Sequence, residues 1–315
     1  MIAKPTGLVV SESYVEHLTG DGHPEQPARV TAIVERLAAE GLLARARRIE
    51  PQPAGDEAIL RCHTADYLRI AAEDVADGER SLSTGDTRIS PRSLEIARLA
   101  AGGVVAAVDA VMAGDVRNAF AVVRPPGHHA TPKRGMGFCL FNNVAIAARH
   151  AQAVHGIGRV LIADWDVHHG NGTQDIFYED GSVLFFDTHQ HPLYPGTGLA
   201  GETGRGAGDG LTINCPFPAG SGRKEIVGAF RERLLPAAER FKPELVLVSA
   251  GFDSRIDDPL GSFTLTDDDF AELTAVVRGI AAEHAGGRLV STLEGGYALD
   301  GLASAAASHV RALME

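Results

Sequence analysis

The stretch LIADWDVHHGNG (residues 161–172) joins a short apolar segment directly to two aspartates and two adjacent histidines. An ionised carboxylate near a hydrophobic core is costly unless a partner compensates its charge, and a metal ion is one such partner. Asp166 and His168 are separated by one residue, so in extended backbone their side chains point the same way. This spacing suits two ligands of one metal ion.

Short apolar runs alternate with segments of helical periodicity along the chain. The runs are GLVV, AFAVV, RVLIA, SVLFF, ELVLVSA and RLVSTL, and the predicted helices span residues 27–40, 91–113, 143–155, 224–241 and 267–284. Because the runs are apolar on both faces, they predict a mostly parallel sheet covered by helices on both sides. Helix-end signals are Ser90 with Pro91 at one start, Gly114 at the same helix's end, and a Thr266–Asp269 capping box.

Polar, glycine-rich segments follow five of these runs: RPPGHHA, DWDVHHGNG, DTHQHPLYPGTG, GFDSRIDDPLG and EGGYALDG. Open α/β sheets place their ligand sites at the carboxyl ends of the strands, so these segments are expected to meet in one crevice. Asp253 can then add a third ligand to Asp166 and His168. Two oxygens, one nitrogen and an open position are typical of a catalytic rather than a structural zinc site.

Two further elements of this crevice favour acid–base chemistry. His128 and His129 follow a rigid Pro-Pro-Gly turn, and Asp164 and Asn171 are available to hold each imidazole in a defined tautomer. Tyr297 follows two glycines and can donate a hydrogen bond to a developing oxyanion. A Lewis acid, a histidine base and an oxyanion donor together indicate metal-assisted hydrolysis of an amide.

Composition sets the broader class. The 315 residues contain 44% apolar and 22% charged residues and no linker, which predicts one globular domain over residues 1–315. Neither a signal peptide nor a membrane span is evident, so we expect a cytoplasmic protein without a membrane partner. Three widely spaced cysteines argue against a disulfide framework. The net charge of −12 disfavours nucleic acid and favours cationic partners such as lysine-rich peptides or polyamines.

A family resemblance rests on seven segments in order: HPEQPARV, RPPGHHA, GMGFCLFNN, DWDVHHGNGTQ, YPGTG, SAGFDS and LEGGY. They resemble the signature segments of zinc-dependent histone deacetylases and their bacterial relatives, particularly the class II type, within the superfamily that includes acetylpolyamine amidohydrolases. The match extends from about residue 22 to residue 297. It implies the three-layer arginase/deacetylase α/β fold with a central, mostly parallel sheet.

The resemblance also implies roles for individual residues. The implied zinc ligands are Asp166, His168 and Asp253. His129 would act as general base and then acid, supported by Asn171, while His128, supported by Asp164, would assist electrostatically. Tyr297 would polarise the substrate carbonyl. Iron(II) could replace zinc in such an oxygen- and nitrogen-rich site.

Family members commonly carry a structural potassium ion beside the zinc, held largely by backbone carbonyls. The residues that match this site are Asp164, Asp166, His168, Asp187 and Thr188. Asp187 stands where relatives usually have serine, so its carboxylate could bind the monovalent cation more tightly or could pair with another group. His169 is expected to pack or form hydrogen bonds beneath the site without binding the metal.

Substrate access is expected through a narrow channel. Gly137 and Phe138 resemble one wall of the family's lysine tunnel, and Tyr194 falls where a second aromatic is expected, so the two rings could enclose the aliphatic stem of an acyl-lysine. Asp86 is expected near the rim.

Leu260 occupies the position at which polyamine-selective relatives carry an acidic gatekeeper. A leucine cannot attract a second ammonium group, which favours an acyl-lysine in a protein or peptide, although Asp257 and Asp258 lie close by. The alternatives are an acetylpolyamine amidohydrolase, a non-catalytic acyl-lysine binder, and a two-metal ureohydrolase, which would need an aspartate in place of Asn171. The sequence leaves open the physiological substrate, the acyl length and the oligomeric state.

Overall fold

Eight parallel strands form one sheet in the computed structural model, which describes residues 4–315. The strands are Thr6–Val9 (β1), Arg47–Ile49 (β2), Asn118–Ala121 (β3), Val160–Asp164 (β4), Val183–Gln190 (β5), Thr212–Phe217 (β6), Leu245–Ala250 (β7) and Leu289–Leu293 (β8). Their order across the sheet is β2-β1-β3-β8-β7-β4-β5-β6, and every pairing is parallel. The predicted parallel sheet is therefore confirmed.

Helices connect the strands and cover the sheet. They are Ala28–Ala39 (α1), Leu42–Arg45 (α2), Asp56–Leu60 (α3), Ala65–Ala76 (α4), Ser93–Met112 (α5), Asn143–His155 (α6), Asn171–Phe177 (α7), Arg223–Ala229 (α8), Leu235–Phe241 (α9), Asp267–His284 (α10) and Leu299–Met314 (α11). A π-helical turn, Phe230–Leu234, joins α8 to α9, so residues 223–241 form one continuous helical run, as predicted.

The sheet lies between two helical layers. Helices α5 and α6 pack together on one face, and α1, α10 and α11 pack together on the other; strand β8 contacts both α5 and α10. Every residue of β4, β5, β7 and β8 is buried, which explains why β4, β5 and β7 each begin with four consecutive apolar residues. The expected three-layer architecture is thus present.

The helix-end signals gave two correct predictions and one wrong one. The Asp269 carboxylate accepts hydrogen bonds from the backbone N–H and the hydroxyl of Thr266, both at 2.8 Å, as in a capping box. Gly114 follows the end of α5 with φ of +73°. The predicted start at Ser90 lies three residues too early, because residues 91–92 form a turn and the α-helix begins at Ser93.

The topology brings the predicted polar segments together. The five strands that precede them, β3, β8, β7, β4 and β5, are neighbours in the sheet. Asp164 at the end of β4 is in register with Ser249 of β7 and Asp187 of β5. Because all these strands run in the same direction, their carboxyl ends form one edge, and the loops that follow them line one crevice.

Two other sequence expectations concern features away from the crevice. The three cysteines, Cys62, Cys139 and Cys215, are buried free thiols, which agrees with the absence of a disulfide framework. Within residues 4–315, no helix has both the length and the apolar character needed to cross a bilayer. The cytoplasmic location stays a prediction.

Candidate active site

A buried cluster of two carboxylates and one imidazole lies at the centre of the crevice. Asp166 and His168 come from the loop after β4, and Asp253 comes from the loop after β7. His168 Nδ1 lies 3.1 Å from Asp166 Oδ1 and 3.2 Å from Asp253 Oδ2. Burial lowers the pKa of His168, but the hydrogen bonds with both carboxylates prevail and raise it to about 10. The cluster therefore favours positive charge at this point.

Backbone donors fix the two carboxylates in place. The N–H of Gly295 donates to Asp166 Oδ2 at 2.7 Å, and the N–H of Val167 donates to Asp253 Oδ1 at 2.9 Å. Glycine is required on both flanking loops, because an added Cβ would lie 2.1 Å from Asp166 Oδ2 at Gly251 and 2.0 Å from Asp253 Oδ2 at Gly295. One atom from each of the three side chains lies within 4.8 Å of the others, so the donor set fits a single zinc ion.

The adjacent histidines are held by different partners. His128 Nδ1 lies 2.9 Å from Asp164 Oδ2, and His129 Nδ1 lies 2.8 Å from Asn171 Oδ1. The two ring centroids are 4.0 Å apart. His128 Nε2 lies 3.8 Å from Asp166 Oδ1, so its outer nitrogen faces the three-residue cluster. The structure thus brings together both predicted histidine–support pairs.

These partners separate the protonation states of the two imidazoles. Burial lowers the pKa of His128, yet the Asp166 and Asp164 carboxylates raise it well above its ordinary value, which favours a proton on the His128–Asp164 pair. Burial, together with the charges of His128 and His168, lowers the pKa of His129 well below its ordinary value. His129 is therefore neutral at physiological pH, which is the form required of a general base.

Tyr297 reaches the crevice from the loop after β8. Its backbone N–H donates to Asp258 Oδ2 at 2.7 Å, and the guanidinium of Arg29 lies 5.0 Å from the centre of its ring. Arg29 also donates to the carbonyl of Gly296 at 2.7 Å, which fixes the loop. Burial raises the pKa of the Tyr297 phenol well above its ordinary value, so the hydroxyl keeps its proton and can donate it.

A pocket of about 300 Å³ connects this cluster with the surface. The residues that line it are Asp86, His129, Gly137, Phe138, His168, Leu193, Tyr194, Leu260 and Tyr297. All four residues predicted for substrate binding (Gly137, Phe138, Tyr194 and Leu260) are among them, whereas Leu193 was not predicted. Phe138 and Tyr297 meet edge to face with centroids 5.9 Å apart, so aromatic surfaces form much of the wall.

The wall near Gly137 is held tightly. Gly137 and Phe138 have φ of +55° and +69°, and an added Cβ at Gly137 would lie 2.3 Å from Cδ2 of His129. Asp86 accepts hydrogen bonds from the Gly137 N–H at 2.8 Å and from the Tyr194 hydroxyl at 3.2 Å. Asp86 thus lies at the rim, as predicted, and joins the two walls of the pocket.

The segment around Asp187, which was predicted to help hold a potassium ion, does not offer the Asp187 carboxylate as a free oxygen ligand. Asp187 Oδ1 lies 2.7 Å from His189 Nδ1, and its Oδ2 accepts the Gly170 N–H at 2.8 Å. Both carboxylate oxygens are therefore engaged by other groups. His189, which had no predicted role, is the partner of Asp187. His169 hydrogen-bonds to Thr197 and Gln174 instead of joining the metal cluster, as expected.

Sequence reasoning missed a buried layer behind the site. Glu294 Oε2 accepts the N–H groups of Gly127 at 2.6 Å and His128 at 3.1 Å, and its Oε1 accepts the Ser249 hydroxyl at 3.1 Å. Asp258 and Arg29, described above, hold the Tyr297 loop in the same way. An acidic residue directly before the two glycines of LEGGY is the one local signal that pointed to Glu294.

The sheet and its crevice match those of a known class of amide-hydrolysing enzymes with an arginase/deacetylase α/β fold. The solved HD domain of HDA15 aligns with a TM-score of 0.94 and 37% identity over 99% of this chain and 90% of that domain. The family described as "Histone deacetylase domain" matches residues 23–313. The chain therefore belongs to the histone deacetylase family and has its arginase/deacetylase α/β fold, and it is a deacetylase.

Two curated relatives indicate the range of substrates in the family. A histone deacetylase-like amidohydrolase of Pseudomonas aeruginosa is 45% identical over 286 residues, which cover 90% of this chain and 75% of that protein. The human polyamine deacetylase HDAC10 is 42% identical over 301 residues, which cover 92% of this chain and 44% of that protein.

Proposed function

We propose that this chain is a zinc-dependent deacetylase that removes an acyl group, acetyl by default, from the side-chain amine of lysine in a protein or peptide. One observation carries the proposal: an aromatic-walled pocket ends on both the His168 imidazole and the His129 imidazole. We also propose that residues 1–315 act as one catalytic domain.

Asp166, His168 and Asp253 would hold the zinc ion, with an open position toward the pocket. When bound, zinc supplies a Lewis acid for the amide carbonyl and lowers the pKa of water in the site. Iron(II) suits the same ligands and is an alternative metal for this cluster.

His129 is the proposed general base and acid. Its hydrogen bond with Asn171 at 2.8 Å orients the ring, so Nε2 takes a proton from the attacking water. As the tetrahedral intermediate collapses, the same Nε2 returns the proton to the departing lysine nitrogen. His128, paired with Asp164 and with its pKa raised, would stabilise negative charge near the cluster.

Tyr297 is the proposed oxyanion donor. Its protonated hydroxyl would donate to the carbonyl oxygen as negative charge develops there. Asp258 and Arg29 would keep this hydroxyl in position, since one holds the backbone N–H of Tyr297 and the other covers its ring. An organised donor of this kind costs no reorganisation at the moment of reaction.

The pocket chemistry favours an acyl-lysine over a polyamine. Leu260 is the residue at the gate, and it brings no charge. The neighbouring Asp258 carboxylate is buried, and it is engaged by the N–H groups of Tyr297, Ala298 and Leu260. Asp257 stays exposed nearby, and Asp86 is exposed at the rim of the pocket. The net charge of −12 suits a substrate segment rich in lysine.

An acetylpolyamine is the second candidate substrate, because a relative at 42% identity is named as a polyamine deacetylase. A polyamine is also a flexible cation that the acidic protein would attract. A non-catalytic acyl-lysine binder is the third and weakest candidate, since the ligand set and the histidine pair are complete.

A structural potassium ion is proposed at Asp164, Asp166, His168, Asp187 and Thr188. Backbone carbonyls would supply most of the ligands, because the Asp187 carboxylate is engaged by His189 and Gly170. The fit is therefore weaker than for zinc.

The test measures acetate release from an acetyl-lysine peptide and from an acetylated polyamine, with and without a chelator. The proposal expects chelator-sensitive turnover that favours the peptide. Leu260→Glu is the matched variant, and it should move the preference toward the polyamine without abolishing turnover. Preference of the unmodified chain for the polyamine would overturn the substrate proposal. Binding of the peptide without turnover of either substrate would favour the non-catalytic alternative.

A further inference from the structure

We propose that Asp109, His150 and His155 form a second metal site, separate from the active site, for a divalent transition metal ion such as Zn²⁺. Asp109 lies in the last turn of α5, and the two histidines lie in the C-terminal half of α6, with His155 as its last residue. The two helices pack against each other on one face of the sheet, and the site joins their ends.

The three side chains converge on one point. The Nε2 atoms of His150 and His155 lie 2.7 Å and 2.6 Å from the same oxygen, Oδ1 of Asp109. The imidazole centroids are 5.6 Å apart and the rings are inclined at 70°, so both rings are aimed inward and are not stacked. Among residues 4–315, Oδ2 of Asp109 makes no hydrogen bond. One carboxylate oxygen thus contacts both imidazoles, while the other is free to bind a metal ion.

The donor set matches the preferences of transition metals. Two imidazole nitrogens and one carboxylate favour Zn²⁺, Co²⁺, Ni²⁺ or Cu²⁺ over Mg²⁺ and Ca²⁺, which prefer oxygen ligands. Tetrahedral zinc at bonds of about 2.0–2.2 Å places its ligand atoms roughly 3.3 Å apart. To reach this geometry, the distances from the two imidazole nitrogens to Asp109 Oδ1 must lengthen by less than about 1 Å. The half-exposed Asp109 side chain has room to rotate. Solvent would fill the fourth position.

The burial of the histidines distinguishes this cluster from ordinary surface charge. The His150 and His155 side chains are 12% and 23% exposed, so they lie in the groove between the helices. By contrast, a third group of possible ligands, Glu239, Glu283 and His284, offers one imidazole and two exposed carboxylates. His284 therefore serves as a control, because it faces a carboxylate at 3.3 Å without a second histidine.

The site is remote from the catalytic residues. Helix α6 begins beside the active site, where the Asn142 side chain donates to the Ala130 carbonyl at 3.2 Å. His155 is the thirteenth residue of the helix and lies about 18 Å along it from the first residue. A metal ion there would stabilise the folded helix pair, because the unfolded chain does not preassemble the ligands.

The test counts zinc per chain after dialysis against buffered free Zn²⁺, followed by elemental analysis. The expected values are two zinc ions for the unmodified chain and for His284→Ala, and one for the double variant His150→Ala/His155→Ala. The double variant should keep its deacetylase turnover. Asp253→Ala should also bind one ion, and its thermal midpoint should rise with Zn²⁺ unless His150→Ala is added.

A second variant keeps the test sound if the double alanine variant unfolds. Asp109→Asn preserves the shape and one hydrogen bond of the carboxylate while removing its charge, and it should also lose one zinc ion. The proposal is overturned if the unmodified chain binds a single ion while Asp253→Ala binds none. It is equally overturned if the histidine and Asp109 variants bind as much zinc as the unmodified chain.

Discussion

Replacing Asn171 by aspartate tests the assignment of the general base. The side chain of Asn171 places a neutral oxygen 2.8 Å from His129 Nδ1 in a site that is buried. Aspartate has nearly the same shape and adds a negative charge at this position. The imidazolium form of His129 would gain a charge-assisted hydrogen bond, so the pKa of His129 should rise.

The size of the rise follows from Coulomb's law. Two unit charges about 4 Å apart interact by about 4 kcal/mol at an effective dielectric constant of 20. At 1.36 kcal/mol per unit, this corresponds to about three pKa units. Burial of the new carboxylate and its repulsion by Asp166 oppose the effect, so the expected rise in the His129 pKa is between about one and three units.

The base acts in its neutral form, so turnover increases as pH rises through the pKa of His129. The acid limb of the kcat/KM profile should therefore move to higher pH by about one to three units in Asn171→Asp, and the rate should recover on the alkaline side. Asn171→Ala is the control, because it removes the oxygen without adding charge and should lower the plateau without an alkaline shift. If the acid limb of Asn171→Asp coincides with that of the unmodified chain at equal zinc content, the assignment of His129 fails.

Four further substitutions test other parts of the site. Tyr297→Phe should keep the active-site zinc and lose about 10²–10³-fold in kcat through loss of the oxyanion donor, whereas Asp253→Ala should lose the active-site zinc and turnover together; kinetics with metal analysis separate these outcomes. Asp258→Asn, which weakens the hold on the Tyr297 loop, should lower kcat by about tenfold with little change in KM, and an unchanged kcat would contradict that role. Gly137→Ala should reduce turnover by displacing His129 while zinc content stays constant.

The central part of the sheet was predictable because strands that are buried on both faces are rich in consecutive apolar residues. Strands β4, β5, β7 and β8 are buried along their whole length, and β4, β5 and β7 each begin with four consecutive apolar residues. The edge strands β2 and β6 lack such an apolar run. Arg47 and Arg48 of β2 are exposed, and β6 contains Pro216, a residue tolerated at sheet edges. Their pairing depends on neighbours that are distant in sequence.

The candidate metal ligands were predictable for a related reason. Each follows a recognisable strand, and parallel strands bring their carboxyl ends to one edge. The supporting residues give no such signal. Glu294, Asp258 and Arg29 act through backbone N–H and carbonyl groups of other loops, and nothing in the local sequence says which loop will be adjacent. Arg29 lies 267 residues from the carbonyl that it contacts, so the fold alone creates this contact.

The charge of the crevice connects the fold with its proposed chemistry. Five acidic side chains at the ends of the central strands are almost fully buried: Asp164, Asp166, Asp187, Asp253 and Glu294. Backbone N–H groups and histidines compensate part of this charge, while burial and the nearby Asp166 raise the pKa of Asp253 to about 7. A divalent ion at Asp166, His168 and Asp253 would restore the balance and favour the ionised form of Asp253, while the pKa of Asp166 is already lowered by His128 and His168. The metal is therefore expected to complete the electrostatics of the fold as well as the reaction.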